Sequence, residues 1–215
     1  MEFVLFMLFS MIEAFALYYF MFRLFKVDLH MPSIAFASLL GSYTSYTLRV
    51  SAELPNIDIF VQMILLIAFV WLLFQVPLYY SILMACISFV AYVVVQITVY
   101  FLLSAIDPSI HLLESSGSMT YVVQFATATI IVMIGSYIHR KRKGFSFVPH
   151  SFFVPVKLKS FQIALLILYI LTFCSVPISY FLYHYRPIYL ITPLFICLLL
   201  FLCLYAAYRS DRKHD

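Results

Sequence analysis

Charged residues are scarce in this chain, and glycine is scarcer still. Only 10% of the 215 residues are Asp, Glu, Lys or Arg, and there are four glycines, against a hydrophobic share of 65%. The mean hydropathy of +1.05 is too high for a soluble globular domain. No G-x-x-x-x-G-K-[ST] phosphate loop and no G-x-S-x-G nucleophile elbow occurs.

Cysteine and histidine also give no sign of a reactive or metal site. The four cysteines (86, 174, 197 and 203) lie in apolar runs without a C-x-x-C pair, and every histidine lies in a loop or at an end. No lysine lies within an apolar run, which excludes a Schiff base there. The net charge of +4 comes from residues flanking those runs, so nucleic-acid binding is not expected. We expect no enzyme activity, no metal and no cofactor.

Long apolar runs are the dominant feature. Several reach roughly twenty residues, enough to cross a hydrocarbon core of about 30 Å as a helix. In lipid the backbone must satisfy its own hydrogen bonds, which favours helices. The sequence therefore predicts an all-α, polytopic transmembrane bundle in one domain, 1–208, with a short tail at 209–215. Its seven spans are expected at about 3–25, 33–50, 59–74, 78–103, 119–138, 161–183 and 187–208.

The basic run at 139–143 sets the orientation. Positive charge beside a span resists translocation, so this loop is expected in the cytoplasm, the N-terminus outside and the C-terminus inside. Of the 13 lysines and arginines, only Arg49 and Arg186 then fall outside, which is typical of a cell-membrane protein. The residues expected to contact lipid headgroups or a cytoplasmic partner are Arg140, Lys141, Arg142, Lys143, Lys157 and Lys159.

Glu13 is the one carboxylate in the middle of a predicted span. A charge at that depth costs at least about 2.5 kcal/mol on insertion scales. Glu13 is therefore expected to face the bundle interior, to be protonated or to have a partner. It is either a proton, cation or ligand site, or a neutral side chain hydrogen-bonded to a neighbouring helix.

The second predicted span carries a face of small and polar residues, in which three- and four-residue steps join Ser38, Gly41, Ser42, Ser45 and Arg49. Small residues let helices approach closely in lipid, and hydroxyls can bond across the interface. This face is either a packing seam or a partner for Glu13 on the first span.

Polar groups and prolines also recur in the outer third of the later spans, at Gln96, Gln124, Pro177 and Pro193. Prolines within spans free backbone carbonyls that neighbours must satisfy. Together with Arg49, these positions predict an outward-facing, semi-polar vestibule. The candidate ligand-binding residues are Glu13, Ser42, Arg49, Gln96 and Gln124.

Two stretches resemble a known family. Residues 10–14 (SMIEA) with 19–26 (YFMFRLFK), and residues 74–80 (FQVPLYY) continuing to Gln96, are similar to the membrane sensor region of Agr-type (GHKL-class) bacterial receptor histidine kinases. The resemblance implies a bundle of six or seven spans, with the N-terminus outside, that detects an extracellular peptide or envelope signal.

The chain departs from that family at Asp215, where the family's signalling helix would begin. It contains neither a phosphoacceptor helix nor a nucleotide-binding box. The resemblance therefore implies a stand-alone sensor-like protein, or a fragment of a longer receptor, that acts through another chain.

Two functions remain open. The first is a sensor, receptor-like or accessory signalling protein that binds a signal in the vestibule and acts through its inner loop and tail. The second is a small transporter or channel-like subunit using Glu13 as an intramembrane proton or cation site. The expected partners are the lipid bilayer, a second copy of the chain as a homodimer, and a cytoplasmic kinase or phosphotransfer protein.

Overall fold

The computed structural model describes residues 2–106, 118–146 and 148, together with ten separate positions between 167 and 208. Within these residues the chain is helical and has no strand, as predicted. A π-helical turn (Thr47–Ser51) continues the second helix. The helices are α1 (Glu2–Leu24), α2 (Met31–Tyr46), α3 (Pro55–Leu72), α4 (Leu78–Ile106) and α5 (Ser118–Arg140).

Two of these helices have a proline in their first turn, and four helical segments are followed by a residue with a left-handed backbone conformation. Pro32 and Pro55 lie in the first turns of α2 and α3. The backbone N–H that proline lacks has no hydrogen-bond partner within the helix at these positions. After α1, the N–H of Val27 donates to the carbonyl of Phe22 at 3.0 Å and caps the helix. The residues with positive φ at the four ends are Lys26, Glu53, Gln75 and Arg142. The turns that join α1 to α2, the π-helical turn to α3, and α3 to α4 are short, so these neighbours run antiparallel.

Helices α1 and α5 form a parallel pair. The Phe9 and Tyr121 rings stack with centroids 5.0 Å apart near one end, and Arg23 hydrogen-bonds His139 near the other. Gly135 allows the close approach, since a Cβ there would lie 3.3 Å from a backbone atom of α1. Parallel packing of α1 and α5 is what five consecutive helices of alternating direction require.

Helix α2 packs antiparallel to α1 and also contacts α3, since Gly41 and Ser45 meet Gln62 and Asp58. The Phe3 ring at the start of α1 contacts the Tyr46 ring at the end of α2, with centroids 4.6 Å apart. The predicted polar face is buried at Ser38, Gly41, Ser42 and Ser45. The burial of these four residues agrees with a packing seam.

One end of the bundle carries most of the positive charge of the described residues, and we call it the basic end. It comprises Arg23, Lys26 and residues 139–143. The α3–α4 turn lies there as well, because the Phe74 ring packs against Phe22 at 4.6 Å between centroids. The opposite end, which we call the polar end, holds the start of α1, the π-helical turn and the start of α3.

The first five predicted spans match the helices to within four residues at each boundary. Among the described residues, three helical segments are long and apolar enough to cross a membrane: Phe3–Leu24, Leu78–Leu103 and Thr120–Arg140. The apolar helix Ile57–Leu72 is shorter. The predicted spans 161–183 and 187–208 lie outside the described residues apart from isolated helical positions. Seven spans, and the N-outside, C-inside orientation, stay predictions.

Large apolar side chains cover much of the outer surface of the bundle. Val4, Ile64 and Met133 are 64%, 65% and 59% exposed. An apolar surface of this extent needs lipid or another protein to cover it. It agrees with embedding in a membrane.

Candidate functional site

An ion pair near the polar end joins the π-helical turn to α3. Arg49 Nε lies 2.5 Å from Asp58 Oδ2. The Asp58 side chain is fully buried and the Arg49 side chain is 41% exposed. Buried carboxylates require such pairing, because an isolated charge in a low-dielectric interior is strongly unfavourable.

Neutral side chains also donate hydrogen bonds to Asp58. Ser45 Oγ on α2 donates to Asp58 Oδ2 at 2.9 Å, and Gln62 Nε2 on α3 donates to Oδ1 at 3.2 Å. The same Gln62 nitrogen lies 2.9 Å from the carbonyl of Gly41, to which it also donates. The cluster therefore fastens α2 to α3 through one carboxylate.

Glu13 forms a second polar contact, nearer the middle of α1. The Tyr92 hydroxyl on α4 donates to Glu13 Oε1 at 2.7 Å. The Gln124 side chain on α5 also reaches this carboxyl group, and the charges of Arg49 and Asp58 act on it. Glu13 is thus the point where α1, α4 and α5 meet through polar groups. The predicted interior position of Glu13 agrees with this geometry.

Two buried polar atoms near these contacts have no hydrogen-bond partner among the described residues. They are Gln124 Oε1 and Ser88 Oγ, whose residues are 8% and 0% exposed. Ser88 lies one helical turn before Tyr92 on α4. Unsatisfied buried polar atoms are rare in folded proteins, so each marks a place where a further hydrogen-bonding group would be stabilised.

A small cavity lies between α1, α2, α3 and α4. Its volume is about 50 Å³, and its lining includes Tyr18 on α1, Gly41 on α2, Gln62 on α3 and Phe89 on α4. That is room for about one or two water molecules. Through Gln62 the cavity touches the Asp58 cluster.

The basic end is held together by contacts between α1 and the segment after α5. Arg23 Nη1 lies 3.0 Å from His139 Nε2, to which the guanidinium donates. The N–H of Phe145 donates to the carbonyl of Leu24 at 2.7 Å, next to the buried Gly144. Residues 139–143 are exposed. Their charges are therefore available to a lipid headgroup or a protein.

Two of the five predicted ligand-binding residues, Glu13 and Gln124, lie next to each other. Arg49 acts on Glu13 only by its charge, since its guanidinium is bonded to Asp58. Ser42 does not join them, because its hydroxyl donates to the carbonyl of Ser38 at 2.7 Å within α2. Ser42 therefore contributes packing.

The other predicted positions give less. Gln96 is partly buried one turn beyond Tyr92 and makes no hydrogen bond to a described residue. Lys157, Lys159, Pro177 and Pro193 lie outside the described residues. The vestibule stays a prediction. In the described part of the chain, no group of three or more His, Cys, Asp or Glu could hold a metal ion.

Sequence reasoning missed Asp58, Gln62 and Tyr92. Asp58 stands close to a predicted span boundary, where an aspartate is usually solvated, yet it is buried. The four-residue spacing from Asp58 to Gln62 was an available signal. So was the stripe of Ser88, Tyr92 and Gln96 at four-residue steps along α4.

No protein-family model, no curated protein and no solved structure matches this chain.

Proposed function

We propose that the chain is a sensor-like or accessory signalling protein of the cell membrane. In this proposal the Glu13 and Asp58 clusters respond to an extracellular or envelope signal. The basic end then acts on a cytoplasmic protein, such as a kinase or phosphotransfer partner.

The observation that carries the proposal is the parallel α1–α5 pair. Glu13 and Gln124 join these helices at one level, and Arg23 and His139 join them again at the basic end. A change in the first contact can therefore shift both helices together. A signal that binds the two arrangements with different affinity would change the geometry of the basic end.

The exposed charges at the basic end are suited to contact with an acidic surface. Arg140, Lys141, Arg142 and Lys143 are consecutive and exposed. None of them forms a salt bridge with a described residue. Charged groups of this kind guide association and set the choice of partner.

Native mass spectrometry of the protein extracted from its own host membranes tests this proposal. We expect a partner at fixed stoichiometry with the wild-type chain, and its loss when residues 140–143 are all changed to glutamine. A variant with lysine at all four positions keeps the charge and should retain the partner. A partner retained by the glutamine variant, or no partner with any variant, contradicts the proposal.

A second candidate function is a small transporter or channel-like subunit, favoured by the Tyr92–Glu13 contact within the bundle. Glu13 would then carry a proton or bind a cation during transport. Glu13→Gln should abolish proton-coupled flux in reconstituted vesicles, whereas Glu53→Gln, at an exposed turn, should not. Equal flux in the wild type and in Glu13→Gln removes Glu13 from that function.

A further inference from the structure

Arg23 at the basic end has no acidic partner among the described residues. Its guanidinium lies over the Tyr19 ring, with Cζ 5.3 Å from the ring centroid, and its Nε is buried without an acceptor in the described part of the chain. The four residues that follow His139 are all cations. Within the described residues, the hydrogen-bond acceptor for the Arg23 guanidinium is therefore the His139 ring on α5.

The geometry of this contact requires a neutral His139. Arg23 Nη1 lies 3.1 Å from Nδ1 and 3.0 Å from Nε2 of the same ring. A neutral imidazole has one ring nitrogen with a free electron pair that can accept from the guanidinium, whereas an imidazolium has two N–H donors and no acceptor. Protonation would also bring two positive charges into direct contact, and like charges so close repel. The Arg23–His139 contact therefore exists only while the ring is neutral.

We propose that His139 is a proton-binding site that opens the basic end, because the bound proton breaks the Arg23–His139 contact between α1 and α5. The proton comes from water and forms an N–H bond with the electron pair that accepts from Arg23. The His139 side chain is exposed, so water can deliver this proton directly. Histidine gains its charge between about pH 8 and pH 5, so the contact is lost on acidification.

The surrounding groups do not supply this response. Lysine and arginine stay positive and tyrosine stays neutral across that range, and aspartate stays negative above about pH 5. The titratable and charged groups around the contact, taken from α1, the α1–α2 turn, the start of α4 and the segment after α5, are Tyr19, Arg23, Lys26, Asp28, His30, Tyr79, Tyr80 and residues 140–143. Of these, His30 is the one other histidine, and it forms no salt bridge with a described residue.

Loss of the contact leaves α1 and α5 joined by two neighbouring hydrogen bonds. The hydroxyls of Tyr19 and Ser136 lie 3.0 Å apart, and the N–H of Phe145 donates to the carbonyl of Leu24 at 2.7 Å. The helices therefore stay packed, while the Arg23 and His139 side chains separate. The inference rests on the proposed function for what the basic end then acts on, and it deepens that function by naming pH as a regulator of this end.

Nitrogen-15 NMR of the full chain in nanodiscs, recorded between about pH 8 and pH 5, tests the inference. Arg23→Lys identifies the guanidinium signals of Arg23, and His139→Gln identifies the ring signals of His139. In the wild type we expect the Arg23 signals to shift over the same pH interval in which the His139 ring is protonated.

His139→Gln keeps a side-chain acceptor that stays neutral, so the shift of the Arg23 signals should be lost in this variant. The matched control His30→Gln removes the exposed histidine before α2 and should retain the shift. Circular dichroism should show wild-type helix content in both variants.

Two outcomes overturn the inference. One is a set of wild-type Arg23 signals that stay constant while the His139 ring is protonated, and the other is a pH-dependent shift that survives His139→Gln. The readout is independent of partner capture. A shift that depends on His139, together with a partner retained after residues 140–143 are changed to glutamine, supports the proton site and contradicts the proposed function. Constant Arg23 signals together with a partner lost in that glutamine variant have the opposite meaning.

Discussion

Removal of Arg49 should destabilise the bundle more than neutralisation of Asp58. Arg49→Ala leaves a fully buried carboxylate whose donors among the described residues are Ser45 and Gln62. Loss of one partner from a fully buried pair costs roughly 3–5 kcal/mol. Because the Arg49 side chain is 41% exposed, water already screens part of this interaction, and we expect about 2 kcal/mol.

Asp58→Asn removes the buried charge and leaves a partly exposed guanidinium that water can solvate. We expect a loss of about 1 kcal/mol, the size of one or two net hydrogen bonds. The double variant Arg49→Ala/Asp58→Asn should be more stable than Arg49→Ala alone, since its interior holds no unpaired carboxylate. Arg49→Lys keeps the charge and should fall between the wild type and Arg49→Ala.

Thermal unfolding in nanodiscs measures this order. In a chain whose Cys174, Cys197 and Cys203 are replaced by alanine, a thiol-reactive fluorogenic dye reports exposure of Cys86, which is 1% exposed in the fold. We expect Tm to decrease in the order wild type, Asp58→Asn, double variant, Arg49→Ala. An Arg49→Ala variant as stable as Asp58→Asn would show that the ion pair does not hold α2 and α3 together.

Three glycines provide further tests. A Cβ at Gly135 would lie 3.3 Å from Phe20 Cα, so Gly135→Leu should separate α1 from α5 and cost about 1–3 kcal/mol. Gly41→Ala meets only the flexible Gln62 side chain and should be milder in the same dye assay; equal losses would contradict close α1–α5 packing. A Cβ at Gly144 would lie 2.7 Å from the Leu24 carbonyl oxygen, so Gly144→Ala should detach this segment and speed tryptic cleavage at residues 140–143. Cleavage at the wild-type rate would mean that the segment is not anchored there.

The helices of the described region could be predicted because lipid imposes a minimum apolar length. The run at 78–103 appears as α4, Leu78–Ile106, and the run at 119–138 as α5, Ser118–Arg140. The packing seam of α2 was also predictable, since small residues at helical spacing bury well in any bundle.

The partners within the site were harder to predict, because they depend on which helices meet. Tyr92 is one of 17 tyrosines, and nothing local marks it as the donor to Glu13. Arg49 was predicted at the outer end of the second span, but its pairing with Asp58 depends on the π-helical turn, which continues the helix past Arg49. Hydropathy contains no signal for such a turn.

The link between the polar cluster and the basic end is tested most directly with a fluorescent label at Arg142→Cys, in a chain whose other cysteines are replaced. Position 142 lies two residues beyond the end of α5, and the 16 residues from Gln124 to Arg140 span roughly 24 Å along that helix. In nanodiscs we predict that Gln124→Ala changes the emission of this label, whereas Gln96→Ala leaves it at the wild-type value. The same emission in the wild type and in both variants would contradict coupling through α1 and α5.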